Sequence, residues 1–385
     1  MADAWGNHRR SAADIDLLFT GDLVLDVEQP DHWMSGIAPA LHAADLAIGH
    51  LEVPHTRRGH ELQGDVPAPG APPEHLDAIQ RAGIDALTLA GNHIADCGAE
   101  GIADTIERLD QLGIAHTGAG ANLSGARQPA LLECRGRRIA VLSYNCVGPQ
   151  NAWAGEHSAG CNYLPLLTAD GAPVAPAADL RDIAPEAPRM LREDVAAARR
   201  RAGLVVVALH KGIVHTPARL APYERPLAEA ALRAGADLVI GHHAHILRGI
   251  EFRSDGPVFH GLGNGCVVTR ALSPSQDHPG RAAWARRRRE LFGFEPDPRY
   301  EFAPFHPEAV HAAMARVLWR ADGTLVVGIT PVHVEPPGRP LLVTDERADA
   351  VVDYLTRIGR DAGLPQTAFS RVSPQLWSCA PAAPA

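Results

Sequence analysis

The chain has 385 residues, more than one ordinary core fills, so one elaborated domain or one domain with an appendage is expected. Its hydrophobic content of 46% supports a packed interior, and its net charge of -9 excludes a general electrostatic footprint for nucleic acid or an anionic membrane. The six cysteines (Cys97, Cys134, Cys146, Cys161, Cys266 and Cys379) contain no C-x-x-C pair, which argues against a zinc ribbon or a disulfide framework and predicts buried, reduced thiols.

The opening MADAWGNHRRSAADID carries charge and no apolar leader, and no later stretch reaches the length of a membrane span. A cytoplasmic protein without a membrane anchor is therefore expected. IDLLFT then reads as a strand, Gly36 to Ala43 as a helix, DLAIGH as a second strand and Gly59 to Pro73 as a Gly/Pro-rich loop. A helix from Glu74 to Ala82 leads into the strand IDALTLA. Gly98 to Leu112 follows, with helical apolar spacing at Ile102, Ile106, Leu109 and Leu112. This alternation predicts parallel strands with helical crossovers.

PALLEC and RIAVLSYN, separated by Arg135-Gly136-Arg137, predict a hairpin or two adjacent strands. Residues 148–188, rich in Ala, Pro, Gly and Asp, are too long for an ordinary connection, so they form either a functional loop or a covering flap. LVVVALH, ADLVIGHH, ILRGIEF and PVFHGLGN restore the sheet. Residues 270–307 interrupt it again, with Arg286, Arg287, Arg288 and Arg289 on a short helix before a loop carrying Phe292, Phe294, Tyr300, Phe302 and Phe305. RVLWRADGTLVVGITPV predicts a hairpin turning at Ala321-Asp322-Gly323, and Glu346 to Gly359 a closing helix.

Polar residues recur just after the apolar runs: Asp22, Glu52, Asn92 and His93, His210, then His242, His243 and His245. Strands of an α/β sheet place their chemistry at such ends. Several strands delivering carboxylate, amide and imidazole groups to one edge predict a metal centre, and these oxygen and nitrogen donors suit Mn, Fe or Zn. Asp22 or Glu52 alone reads as an ordinary turn or strand-end carboxylate. The GHHAH segment is more specific. In an extended backbone His243 and His245 project to one side as ligands, and His242 points away as a supporting or packing residue unless a local turn re-aims it.

GDLVL, DLAIGHLE, LTLAGNHIADCGAEGI, LVVVALHKG, GADLVIGHHAHILRGIE and PVFHGLGN, in this order, resemble the CapA-like (capsule or poly-γ-glutamate synthesis) family of the calcineurin-like metallophosphoesterase superfamily. The resemblance runs from about residue 15 to 370. It implies a four-layer α/β/β/α sandwich with mixed sheets, a main domain over 15–335 and a C-terminal helix and tail over 336–385 packed on it. It implies a centre of one or two divalent ions: Asp22 and His245 at one, Asn92, His210 and His243 at the other, Glu52 bridging, and His93 as general acid or transition-state stabiliser. Val24 stands where the superfamily usually has a His. His50 stands where the CapA branch has an Asn and is expected either to supply an extra donor or, with His242, to support the ligands.

Two functions follow as expectations. The first is a metal-dependent enzyme of metallophosphoesterase type, acting on a phosphate, acyl-phosphate or glutamyl-type substrate, with an anionic small molecule as its partner. The second is a non-catalytic, metal-stabilised accessory protein that holds an anionic polymer for a partner synthase. In either case one or two of Arg286 to Arg289, with the aromatic loop, are expected to reach over the metal edge and grip an anion, since guanidinium binds carboxylate and phosphate in a bidentate fork.

Overall fold

The computed structural model describes Trp5, residues 11–62 and residues 68–383. The middle of the Gly59 to Pro73 loop and most of the opening segment lie outside the described residues.

Two sheets face each other. The first has ten strands; its parallel half contains Ile15–Leu25, Leu46–Leu51, Ala86–Thr88 and Ala115–Thr117 in that order. Its antiparallel half extends from the other edge of Ile15–Leu25 through His311–Trp319 and Leu325–Glu335 to the C-terminal hairpin Thr367–Ser373 and Leu376–Pro381. The second sheet has six strands, with Arg137–Asn145, Leu204–His210, Leu238–His242 and Gly256–Phe259 parallel and a reversed strand at each edge.

Alternation along each strand explains the layers. In Ile15–Leu25, Leu17 and Phe19 enter a core between the sheets, while Leu18 faces the opposite core with Ile79, Ile102 and Leu109 of the covering helices. In Leu204–His210, Val206 joins the inter-sheet core, whereas Val205 and Val207 pack with Leu191 and Val195 of the helix Ala187–Arg199 and with Leu227 of Glu224–Arg233. The result is the expected α/β/β/α sandwich.

Local chemistry sets the helix ends. Gly98–Leu112 has the anticipated bounds and stops where Gly113 takes φ 71°, a left-handed position that glycine occupies without penalty. Asp345 caps Glu346–Asp361 by accepting the Arg347 amide at 3.1 Å. That helix buries Val351, Leu355 and Ile358 in the inter-sheet core, and the strands that follow it extend the first sheet.

One connection positions the site. After Gly256–Phe259 the chain leaves the second sheet and enters the first as Asn264–Val268, running parallel to the second half of Ile15–Leu25. The sequence reading, which has PVFHGLGN restoring the sheet, missed this crossing. At the crossing a Cβ on Gly21 would lie 2.0 Å from the Gly263 carbonyl oxygen, so the backbones meet only because a glycine is there. The register of Ile15–Leu25 shifts on both sides around Asp22, an irregularity that re-aims the side chain at the strand end.

Leu17 is fully buried between the sheets. Leu17→Ala is expected to lower unfolding free energy by about 2–5 kcal/mol, read from the urea midpoint at constant slope. An unchanged midpoint would place Leu17 outside the stabilising core.

Candidate metal centre

The predicted residues converge at the ends of the parallel strands of both sheets. Asp22 Oδ1 lies 3.1 Å from His242 Nδ1, and Oδ2 accepts the His243 backbone N–H at 3.3 Å. His210 Nε2 lies 2.7 Å from Asn92 Oδ1 and 3.1 Å from His243 Nδ1. His245 Nε2 lies 3.2 Å from Glu52 Oε1, and its Nδ1 lies 3.6 Å from Asp22 Oδ2.

Ligand-type atoms gather into three groups, within 4.8 Å in each: Asp22, Glu52 and His245; Glu52, His210 and His243; Asp22, His50 and His210. The first two share Glu52, and Asn92 lies beside the second. His50 joins the third group, with Asp22 and His210. Its Nδ1 lies 3.0 Å from Thr88 Oγ1, its ring stacks on His242 at 4.6 Å, and its buried Nε2 has no hydrogen-bond partner.

The extended geometry expected of GHHAH is corrected. The strand ends at His242, and His243 and His245 have φ of 87° and 52°, in the left-handed region. Such angles cost a non-glycine residue of order 1–3 kcal/mol and persist where surrounding contacts enforce them. Here the turn delivers His243 to His210 and His245 to Glu52, while His242 contacts Asp22 from the strand.

The residues fit a divalent cation. Both carboxylate oxygens of Glu52 are buried without a well-formed hydrogen bond, His245 lying 3.2 Å from Oε1 as its ion-pair neighbour, and so buried a carboxylate gains from a second cation. Burial holds His50 and His243 near a pKa of about 3 and His210 well below the usual imidazole range, so these rings are neutral, as ligation requires. Burial also opposes charge on His245, but Glu52 and Asp22 outweigh it and lift the ring to about 9. Burial pushes Asp22 upward, but contacts with His242, His245 and His50 prevail and bring it to about 2.

His93 lies at the rim, with Nδ1 2.7 Å from the buried Asp96 Oδ2. Above the cluster is a cavity of about 900 Å³, lined by Glu52, Asn92, His93, His243 and His245 and walled by residues 176–181, 212–216 and 219–223 together with Trp284, Phe292 and Phe305. Segments 148–188 and 270–307 thus both contribute to its wall.

The arginine expectation is half corrected. The aromatic loop does reach the cluster, Phe305 stacking on His245 at 4.8 Å. The arginines do not, because the helix breaks at Arg287 and disperses them. Arg286 donates to the Pro274 carbonyl at 3.2 Å, and Arg287 and Arg289 pair with Glu290 and Glu295 at 2.8 and 3.1 Å. Arg288 turns inward, donating to the Pro304 carbonyl with its guanidinium 5.1 Å from the Trp284 ring centroid. The cavity-lining arginines among the described residues are Arg181 and Arg219.

Sequence reasoning also missed Asp96, three residues after His93, and Asn264, whose Oδ1 lies 3.0 Å from His245 Nδ1. It missed His215, buried at the cavity wall with its ring 5.9 Å from that of His245. The Asn after LG in GLGN and the second His of HKGIVH were the available signals.

Among curated relatives, the chain is 27% identical over 241 residues to the capsule biosynthesis protein CapA of Bacillus anthracis, covering 61% of this chain and 53% of that protein. It is 29% identical over 252 residues to the polyglutamine synthesis accessory protein MT0602 of Mycobacterium tuberculosis, covering 63% and 61%. The chain thus spans between half and two thirds of the length of these relatives. Among solved structures, the calcineurin-like phosphoesterase YfkN from Bacillus subtilis aligns with a TM-score of 0.38 at 13% identity over 91% of this chain and 97% of that one. Among the described residues no helix is long and apolar enough to cross a membrane. The family described as "Bacterial capsule synthesis protein PGA_cap" matches residues 16–267, well over half of the sequence, and the chain belongs to that family.

Proposed function

We propose that this chain is a metal-dependent hydrolase of phosphoester, acyl-phosphate or glutamyl-type substrates. The observation that carries the reading is Glu52, a buried carboxylate beside His245 that is shared by two groups of ligand-type atoms under one cavity. Asp22, Glu52 and His245 would hold one divalent ion, and Glu52, Asn92, His210 and His243 a second. When bound, such ions polarise a substrate oxygen and lower the pKa of water to supply a nucleophile near neutrality.

The chain's own groups supply the rest. Asp96 on Nδ1 of His93 orients that ring, which suits His93 to donate a proton to a departing oxygen in the cavity. His242 and the His243 amide fix both oxygens of Asp22, and Asn264 fixes the His245 ring. Trp284, Phe292 and Phe305 exclude water from part of the wall.

A second reading, an accessory protein that holds an anionic polymer for a synthase, is favoured by the name of the Mycobacterium relative and by Val24 in place of a His at the cavity wall. Turnover separates the two. Protein loaded with Mn, Fe or Zn should hydrolyse p-nitrophenyl phosphate or a glutamyl amide, and chelation should abolish the rate; no turnover of either with any of the three metals would leave the accessory reading.

His243→Ala and Glu52→Gln are each expected to reduce bound metal in elemental analysis of purified protein, and full occupancy in both would remove them from the ligand set. His93→Ala is expected to retain its metal and to lose about 10²–10⁴-fold in kcat. A normal rate in that variant would assign His93 a structural role.

A further inference from the structure

The cavity carries opposite charges on walls that come from different sheets. Asp26 follows the first-sheet strand Ile15–Leu25, and Arg219 lies in the loop after the second-sheet strand Leu204–His210. Both line the cavity, and neither has an ion-pair partner among the described residues.

Asp26 is held in place but undercompensated. Its Oδ2 accepts the Thr269 hydroxyl at 2.5 Å and its Oδ1 accepts the Arg270 N–H at 3.2 Å. Around it the cavity wall is apolar, formed by Val24, Val267, Ala271 and Leu272. Burial outweighs the two hydrogen bonds and the more distant charges of His75 and Arg281 and raises its carboxyl to about 6, so a cation brought directly beside it would recover lost solvation.

Arg219 is presented from a fixed backbone. The buried Arg248 guanidinium donates to the Arg219 carbonyl at 2.6 Å, to the Pro217 carbonyl at 3.3 Å and to that of Ile213. The buried pair Lys211 and Glu224, 2.8 Å apart, anchors the same loop, since Glu224 also accepts the Ala221 N–H at 2.7 Å. An exposed guanidinium on a pinned loop loses less entropy on binding a carboxylate than one on a free loop.

We infer that the cavity selects a ligand bearing both an ammonium and a carboxylate, with Asp26 receiving the ammonium and Arg219 the carboxylate. Trp284, Phe292 and Phe305 would cover the methylene portion between them. The inference rests on the reading of this cavity as the substrate site, and narrows its glutamyl arm to molecules with a free amino end. A phosphate monoester lacking an amine brings no cation to Asp26.

Calorimetric titration of the metal-loaded protein with glutamyl-glutamate, with its N-acetyl derivative and with inorganic phosphate tests this. The free amine is expected to bind about 10-fold or more tightly than the N-acetyl form, as a charge-assisted contact requires. Asp26→Asn should erase that difference, and Arg219→Gln should weaken both dipeptides while melting as the parent does. Equal affinity of the two dipeptides for the unsubstituted protein would overturn the inference without any variant. Arg219→Gln binding both dipeptides like the parent would overturn the carboxylate assignment. Binding of phosphate but of neither dipeptide would overturn it while leaving phosphoester hydrolysis standing, and binding of no probe together with no turnover would remove both.

Discussion

The site depends on a contact between two sheets that share no strand. Asp22, at the irregularity of a first-sheet strand, meets the imidazole of His242 and the backbone of His243 at the end of a second-sheet strand. This carboxylate is buried and retains its charge only because imidazoles and an amide surround it. Its position is set by backbone sterics: Gly21 admits the Gly263 carbonyl, which lets Asn264–Val268 run beside it. From that seam Glu52 and Asn92 come in from the neighbouring first-sheet strands, and His210 and His243 from the facing sheet.

A layer of charge beneath the centre reinforces this arrangement. Lys211, directly after His210, is fully buried against Glu224 and lies 3.3 Å from His260 Nδ1, whose other nitrogen lies 3.2 Å from Glu251. Removing one member would leave a buried charge unpaired, so the network constrains where His210 and the following loop sit. Rigid support below and two irregular segments above give the centre fixed donors under a wall built separately.

The sandwich and most of the candidate ligands were legible in the sequence because each ligand directly follows an apolar run whose period identifies a strand. Gly98–Leu112 and the 311–335 hairpin were equally plain, one from helical spacing and the other from its Asp-Gly turn. What escaped depends on tertiary approach. The left-handed backbone at His243 and His245 is enforced by neighbours and has no local sequence cue. The arginine run read as one helix face, yet a break at Arg287 sends Arg288 into the interior and the rest into solvent. Arg219 and Asp26 carry no motif at all, and only the closure of the cavity brings them to a common space.

The long separation between contacting residues has a consequence for the order of events in the life of the chain. Asp22 and His242 are 220 positions apart, and Asn92 and His210 are 118 apart. Closing loops of that length is entropically unfavourable until the hydrophobic layers are already formed, so no partly folded segment presents the donor set. A chain still emerging from the ribosome therefore offers scattered, weakly chelating side chains rather than a binding site. Any ion uptake would fall after folding, and any affinity of the donor set for a metal would act wholly to deepen the native basin.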